Sequence, residues 1–371
     1  MKNLKKLGLL LLGTALVFDF AGCNNSADDG FAVAGTLADN TTKTSADAPA
    51  ENTPKTPAQT KSFTVTFNTN GGSSVEKQTV KEGEKASKPA DPTKANDEDY
   101  KYAFAGWFKD SALTSAFDFE NAITADITLY AKWNGTAIIY IGTKKPSVAK
   151  EVGDIVFNDG SATPYSSELS LTDSQKAAAV AVIFYAGSSG DVLGAKTLGV
   201  GLHNTYGETT QTYSWARNDK TYFKSIQCLP NSLDVSGNAK TTTFTGDLDG
   251  SDNWTKICEA NKAPQTDYPA FNWVNNYGSA HSLTGDYTSG WYLPTIAELT
   301  MMYRQLDAIN AALYLAGGTK IAYSLEEDNF SYWSSSQFTN PDMALCLVTK
   351  VAKIAVSYKN SDRFVCAIRT F

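Results

Sequence analysis

Residues 289–303 read SGWYLPTIAELTMMY, an aromatic-rich approach to a helix start. Thr295 with Glu298 three residues later forms a capping box, in which each side chain serves an orphan backbone N–H of the first turn. Ile296, Leu299, Tyr303, Leu306, Ile309 and Leu313 then recur at helical spacing, and Gly317 with Gly318 supplies the stop. One long amphipathic helix is predicted. Pro294, just outside the cap, sets the entry angle, and Trp291 has the bulk to fill a groove between that helix and a sheet.

Working upstream, DYPAFNWVNNYG (267–278) predicts a second helix with Pro269 at its first position, Ala270, Trp273, Val274 and Tyr277 on one face, and Gly278 as its stop. AAAVAVIFYAG (177–187) reads as a buried strand entered from a short helix capped by Thr172 and Gln175, and GDIVFNDGSATPY (153–165) as two strands about a turn at Asn158–Gly160. Downstream, SYWSSSQ (331–337) places a bulky Trp333 before Ser334, Ser335 and Ser336, whose hydroxyls can bond to nearby backbone.

Two polar, turn-prone segments, QFTNPD and SYKNSD, flank the apolar strands MALCLVT and AKIAVSY. They hold Gln337, Phe338, Thr339, Asn340, Asp342 and Met343, then Tyr358, Lys359, Asn360, Ser361 and Asp362. Loops on a rigid scaffold are where recognition concentrates, and Tyr and Asn give contact area and paired hydrogen-bond groups at low entropic cost. Ordinary solvated turns are the equal alternative.

Taken in order, GWYLPTIAEL, YWSSS and a terminal strand of the form V-x-A-x-R-x-F (in FVCAIRTF) resemble the C-type-lectin-like domain shared by formylglycine-generating-enzyme relatives and by variable proteins diversified by retroelements. The resemblance covers roughly the last hundred residues. It implies an α+β domain in which Trp291, Pro294, Trp333, Ser334, Ser335 and Arg369 are structural. It also implies a binding face on the loops after Trp333: Gln337, Phe338, Asn340, Asp342, Tyr358, Lys359, Asn360 and Asp362.

At the other end, Lys2, Lys5 and Lys6 precede the apolar run LGLLLLGTALVF and the small residues of FAGC. The segment resembles a bacterial lipobox of the loose, spirochaete type, with Phe20 in place of the usual leucine; it implies a signal peptide over 1–22 and lipidation of Cys23. A plain secretory peptide is the alternative. Residues 23–61, rich in Ala, Thr, Asp, Asn and Pro, read as a lipid-anchored disordered tether.

Between tether and C-terminal domain, Phe63, Val65 and Phe67 alternate with polar residues, NTNGG supplies a turn, and Ile127, Leu129 and Ala131 alternate in a later strand. TVTFNTNGG, KPADPTK, FAGWFKD and FDFENAITADITLYAKW resemble the Listeria–Bacteroides repeat. That resemblance implies a small β-grasp-like module over 62–134, serving as a spacer or interaction unit, with a lectin-like domain over 135–371. The chain departs from the repeat in ANDEDYKYAF (95–104), expected to lengthen a loop.

The formal charge of −7 gives no basic field for phosphates, so nucleic acid is not an expected partner. With only His203 and His281, far apart in sequence, no histidine metal centre or histidine-assisted nucleophile is expected. AGSSGD (186–191) misses the second glycine of a nucleophile elbow. GDLDGSDNW (246–254) fails the EF-hand pattern and leaves open only a looser cation site, and NPD (340–342) lacks the companions of a calcium-dependent sugar site. Neither a metal nor a cofactor is expected.

Cys228, Cys258, Cys346 and Cys366 could form two bridges in three pairings or remain free buried thiols. The expectation is a non-enzymatic envelope lipoprotein, at the outer membrane or cell surface, binding an unknown protein or glycan and touching the membrane through its lipid. The alternatives are a formylglycine-generating-type enzyme using Cys346 and Cys366, and a purely structural envelope component.

Overall fold

The computed structural model describes residues 60–208, 211–217, 221–231, 238–321 and 330–371. Thr60–Phe371 belongs to one compact unit of mixed α and β structure. The expected signal segment, Cys23 and the tether up to residue 59 lie outside the described residues.

The first part is a four-stranded sheet of β1 (Ser62–Asn68), β2 (Gln78–Lys81), β3 (Tyr100–Phe108) and β4 (Ile127–Ala137), in the order β2-β1-β4-β3. β1 and β4 run parallel at its centre, from Val65 opposite Ile127 to Asn68 opposite Tyr130. The alternation of β1 buries Phe63, Val65 and Phe67, and Ala86 and Ile123 from the loops complete the core. Trp107 meets Phe67 edge-on at 4.9 Å and Phe104 at 5.5 Å, so aromatic contacts supply much of a small core. NTNGG is glycine-rich for two reasons. Gly71 has φ +86°, and a Cβ on Gly72 would fall 2.5 Å from the ring of Trp133. The Trp133 indole closes the turn by donating to the Thr69 carbonyl at 2.9 Å.

ANDEDYKYAF does not simply lengthen a loop. Tyr100, Tyr102 and Phe104 alternate as strand residues, and they extend the β3–β4 ladder: Tyr100 faces Ala137, Tyr102 faces Gly135, Phe104 faces Trp133. β4 thereby continues past the expected boundary after Asn134. The Asp97 carboxylate closes the turn, accepting the backbone N–H groups of Asp99 and Tyr100 and the Tyr102 hydroxyl.

The open end of this β3–β4 pair, where β3 begins and β4 leaves, is tied to the segment that follows β4. Glu98 accepts the Ser147 amide at 3.0 Å and hydroxyl at 2.7 Å, and Lys145 pairs with Asp99. The Tyr140 hydroxyl donates to the Glu98 carbonyl at 2.9 Å, and the Ile138 amide to that of Asp99 at 2.8 Å.

The C-terminal part of this unit is built on β5 (Asp154–Phe157), β6 (Ala162–Pro164), β7 (Ala179–Ala186), β8 (Thr197–Asn204) and β16 (Cys366–Thr370), in the order β16-β8-β7-β5-β6. A second sheet joins β12 (Ser331–Gln337), β13 (Met343–Val348) and β14 (Lys353–Tyr358); β9 (Tyr213–Ser214) with β15 (Asp362–Arg363), and β10 (Cys228–Pro230) with β11 (Phe244–Gly246), are short ladders. The helices are α1 (Asp173–Ala178), α2 (Thr205–Glu208), α3 (Asn253–Ala260), α4 (Pro264–Asp267), α5 (Pro269–Asn275), α6 (Tyr277–Ala280), α7 (Ile296–Arg304) and α8 (Leu306–Leu315).

β7 reads as a continuous apolar run because both of its faces are covered. Val182 and Phe184 join the core beneath α7 and α8, with Ile296, Leu299, Ile309 and Leu313. Val180, Ala181 and Ile183 join the opposite core, with Phe271, Val274 and Tyr277 of the α5–α6 region and with Trp291 and Trp333. Both capping boxes, Thr172 with Gln175 and Thr295 with Glu298, are formed.

Two expectations differ in detail. The long helix is broken at Gln305, whose φ of −108° and ψ of 14° leave the helical region. The preceding Arg304 is drawn aside to the carbonyls of Ala239 and Thr242. The apolar period runs through the break because Leu306 and Ile309 still face the core. Gly278 does not stop a helix; it lies within α6, where a Cβ would sit 2.4 Å from the Thr288 carbonyl oxygen. Gly317, at φ +81°, does end α8.

Candidate functional site

The Trp-Ser-Ser-Ser stretch lies fully buried in β12, and each of its polar groups is used internally. Trp333 donates to the Tyr213 carbonyl at 2.8 Å, and Trp215 donates to the Ser334 carbonyl at 2.9 Å. Ser334 Oγ donates to the Leu345 carbonyl, Ser335 Oγ accepts the Asn253 amide, and Ser336 Oγ accepts the backbone N–H of Ile296. Ser335 N also donates to the Pro294 carbonyl, so the start of α7 is pinned on β12. Trp291, 4.6 Å from the Tyr277 ring, donates to the Tyr287 carbonyl, and Arg369 holds the carbonyls of Asp286 and Ser289.

This frame brings the two polar loops to one end of the three-stranded sheet. Met343 lies opposite Tyr358, and the Lys359 amide donates to the Asp342 carbonyl at 2.9 Å. Asn340, Tyr358, Asn360 and Asp362 are exposed, Tyr358 to 57%, while Phe338 and Asp342 are half-buried. Phe338 packs against the main core. Asp362 pairs in register with Ser214, which places β9 beside the second loop. No local signal in the sequence marks that neighbour, because the pairing is long-range.

Two of the expected contact residues point inward instead. Gln337 is fully buried at the end of β12, where its side-chain amide donates to the carbonyls of Phe338, Asn340 and Met343 and shapes the first loop from within. Lys359 is only 2% exposed: its ammonium donates to the Thr221 carbonyl at 2.9 Å and lies 4.5 Å from the Trp215 ring centroid. Both are positioned to support the loops rather than to touch a ligand. Phe338, packed on the core, is a third that does not face outward; Asn340, Tyr358, Asn360 and Asp362 remain as the exposed set, with Asp342 half-buried beside them.

The thiols are poorly suited to redox chemistry. All four described cysteines are free, and Cys228, Cys346 and Cys366 are buried. Cys346 and Cys366 do not meet on neighbouring strands, since β13 and β16 belong to different sheets and the two residues to different cores. Burial raises both thiols, Cys366 to about 12, and for Cys346 the opposing pull of Arg363 does not reverse the direction. A reactive cysteine needs the opposite shift and access.

His203 and His281, far apart in sequence, stack with ring centroids 4.4 Å apart. Burial first, then the neighbouring His203, lowers His281 to about 4. Among the described residues, no group of three or more His, Cys, Asp or Glu side chains could hold a metal ion. The acidic loop at 246–254 has its carboxylates paired with lysines: Asp247 and Asp252 with Lys256, Asp249 with Lys196 at 2.8 Å. Burial would raise Asp249, but its bonds to Lys196 and Ser251 prevail and lower it.

Glu298 was legible only as a cap. It is fully buried and accepts from the Thr295 and Gly250 amides and the Tyr292 hydroxyl, yet desolvation outweighs these donors and raises its carboxyl to about 7.

Comparison with known proteins identifies residues 63–132 as a Listeria-Bacteroides repeat domain. Two proteins of Evansella cellulosilytica are similar to this chain over 72 residues, 19% of its length: one named "Putative Gly-rich membrane protein", 39% identical, and one named "Putative membrane protein", 43% identical. The match spans only 8% and 10% of those proteins. Among the described residues, no helix is long and apolar enough to cross a membrane.

Proposed function

We propose that the chain is a cell-envelope lipoprotein in which a β-grasp-like repeat carries a C-type-lectin-like domain that binds a protein or glycan through two adjacent loops. The observation that carries this reading is the juxtaposition of exposed Asn340, Tyr358, Asn360 and Asp362 on a buried, internally bonded Trp-Ser-Ser-Ser frame. Rigid presentation of amphipathic and amide side chains lowers the entropic cost of recognition. The parallel β1–β4 pair at the centre of the first sheet agrees with a β-grasp-like arrangement. The membrane-protein names of the two relatives agree with an envelope location. The anchor in this reading is lipid on Cys23, where each buried methylene adds about 0.8 kcal/mol.

Capture from host and bacterial extracts by the full chain in detergent, together with palmitate labelling in cells of the native and Cys23→Ser proteins, tests the two halves of the proposal. A specific captured ligand and label lost with Cys23 support it; an unlabelled native protein removes the anchor, and capture of nothing removes the binding role. Kinship with retroelement-diversified proteins is tested at the gene: adenine-rich codons over the two loops beside a near-copy template are expected, and the absence of a template ends that kinship.

A further inference from the structure

A cleft of about 390 Å³ opens beside the end of β16, and no residue of the two polar loops lines it. Its size lies within the range of small-ligand pockets. Trp291 and Tyr292 close the floor, and their polar ends are committed inward, to the Tyr287 carbonyl at 2.8 Å and to Glu298 at 3.0 Å. On the wall, half-buried Trp254 stacks nearly parallel on Phe271, with centroids 6.2 Å apart and planes at 15°, which fixes the plane of its indole.

The rim has a different character. Ser251, Thr255, Thr370 and Asn275 are exposed residues with hydroxyl or amide side chains, of which the Ser251 hydroxyl also bonds Asp249 and that of Thr370 also bonds Tyr292. Among the described residues, Arg369 is the single charged one lining the cleft, in a chain whose net charge is −7. Its guanidinium is held by the carbonyls of Asp286 and Ser289 and lies 5.0 Å from the Tyr287 ring centroid. Gly290, at φ +81°, leaves that space open: a Cβ there would fall 3.3 Å from Arg369 Nη1.

An oriented aromatic wall, a rim of hydroxyl and amide groups and one pre-positioned guanidinium form a combination with a specific complement. We infer that this cleft binds a uronate-bearing saccharide, whose C–H face packs on the indole, whose hydroxyls meet the Ser, Thr and Asn groups, and whose carboxylate pairs with Arg369. The inference stands apart from the proposed loop face, since the two share no residue.

Titration calorimetry on the full chain in detergent tests it, with tetramers of galacturonate and of mannuronate, the methyl ester of the first, and a short peptide with a free C-terminal carboxylate. One or both acid tetramers bind, and the ester binds about tenfold more weakly, the loss expected of one charge-assisted pair. Trp254→Ala abolishes binding. Asn275→Ala, at an exposed position, weakens it severalfold with an unchanged melting temperature, and so decides the matter if Trp254→Ala fails to fold. Binding of neither tetramer, equal binding of ester and acid, capture of the peptide in preference to both tetramers, or an Asn275→Ala protein of unchanged affinity overturns the assignment.

Discussion

The backbone N–H of Lys359 donates to the carbonyl of Asp342 across 2.9 Å, and this bond ties the loop after β14 to the loop after β12. Immediately before it Tyr358 stands in solvent, and Lys359 itself turns its ammonium onto the Trp215 ring. Neighbours in sequence thus divide the work, one facing solvent and one holding the frame.

That division predicts opposite phenotypes. Lys359→Ala removes a buried cation from its aromatic box and leaves a cavity, so unfolding free energy falls by about 2–4 kcal/mol. Tyr358→Ala leaves the denaturant midpoint unchanged and lowers ligand capture. Urea unfolding of the two variants side by side checks this.

Ser336→Ala strips the acceptor from the buried Ile296 amide at the start of α7. A loss of about 1–3 kcal/mol is expected, the cost of one unsatisfied buried donor. An unchanged melting curve would show that the serine frame does not hold the helix.

Glu298 carries a pH signature. Its carboxyl is raised from 4.5 to about 7 by burial, so its contribution is full below the unfolded value and is lost as pH rises through 7. Glu298→Gln keeps an acceptor for the Thr295 and Gly250 amides and cannot ionise. The variant is expected to match the native protein at pH 5 and to exceed it at pH 9 by about 1–3 kcal/mol, read from thermal melts across that range.

The hairpin clasp has the reverse dependence. Bonds from the Ser147 side chain and amide lower the Glu98 carboxyl, so its contribution is present above the ordinary value of 4.5 and lost as pH falls through the lowered one. Glu98→Ala removes the two bonds to Ser147 and is expected to loosen residues 138–147 from the repeat at neutral pH, the bonds of Asp99 and of the Glu98 carbonyl remaining. Faster proteolytic cleavage in that segment, with no change in capture, is the result to look for.

Of Cys228, Cys258, Cys346 and Cys366, only Cys258 is partly exposed. Of these four, a thiol reagent should therefore label Cys258 alone in the native state, and Cys346→Ser should leave capture intact. Rapid labelling of Cys346 or Cys366 would reopen redox chemistry.

Local patterns announced the elements that depend on local physics. The capping boxes at Thr172 and Thr295, the alternation of Phe63, Val65 and Phe67, and the buried run of β7 all form in the structure as their residues indicate. Long-range consequences were not legible. The break at Gln305 hides behind an unbroken apolar period, and the His203–His281 stack, the Asp362–Ser214 pairing and the Glu98–Ser147 clasp join segments distant in sequence. Lys359 and Gln337 read as exposed because their segments are polar, whereas each is the residue its loop folds around.

The most direct test of the loop face compares the full chain with an Asn340→Ala, Tyr358→Ala, Asn360→Ala triple variant, measuring affinity for the captured ligand alongside the melting temperature. Three exposed truncations should leave melting within the error of the native protein and reduce affinity at least about tenfold, as expected when a central aromatic contact is removed. Equal affinity in the two proteins would place recognition elsewhere on the molecule.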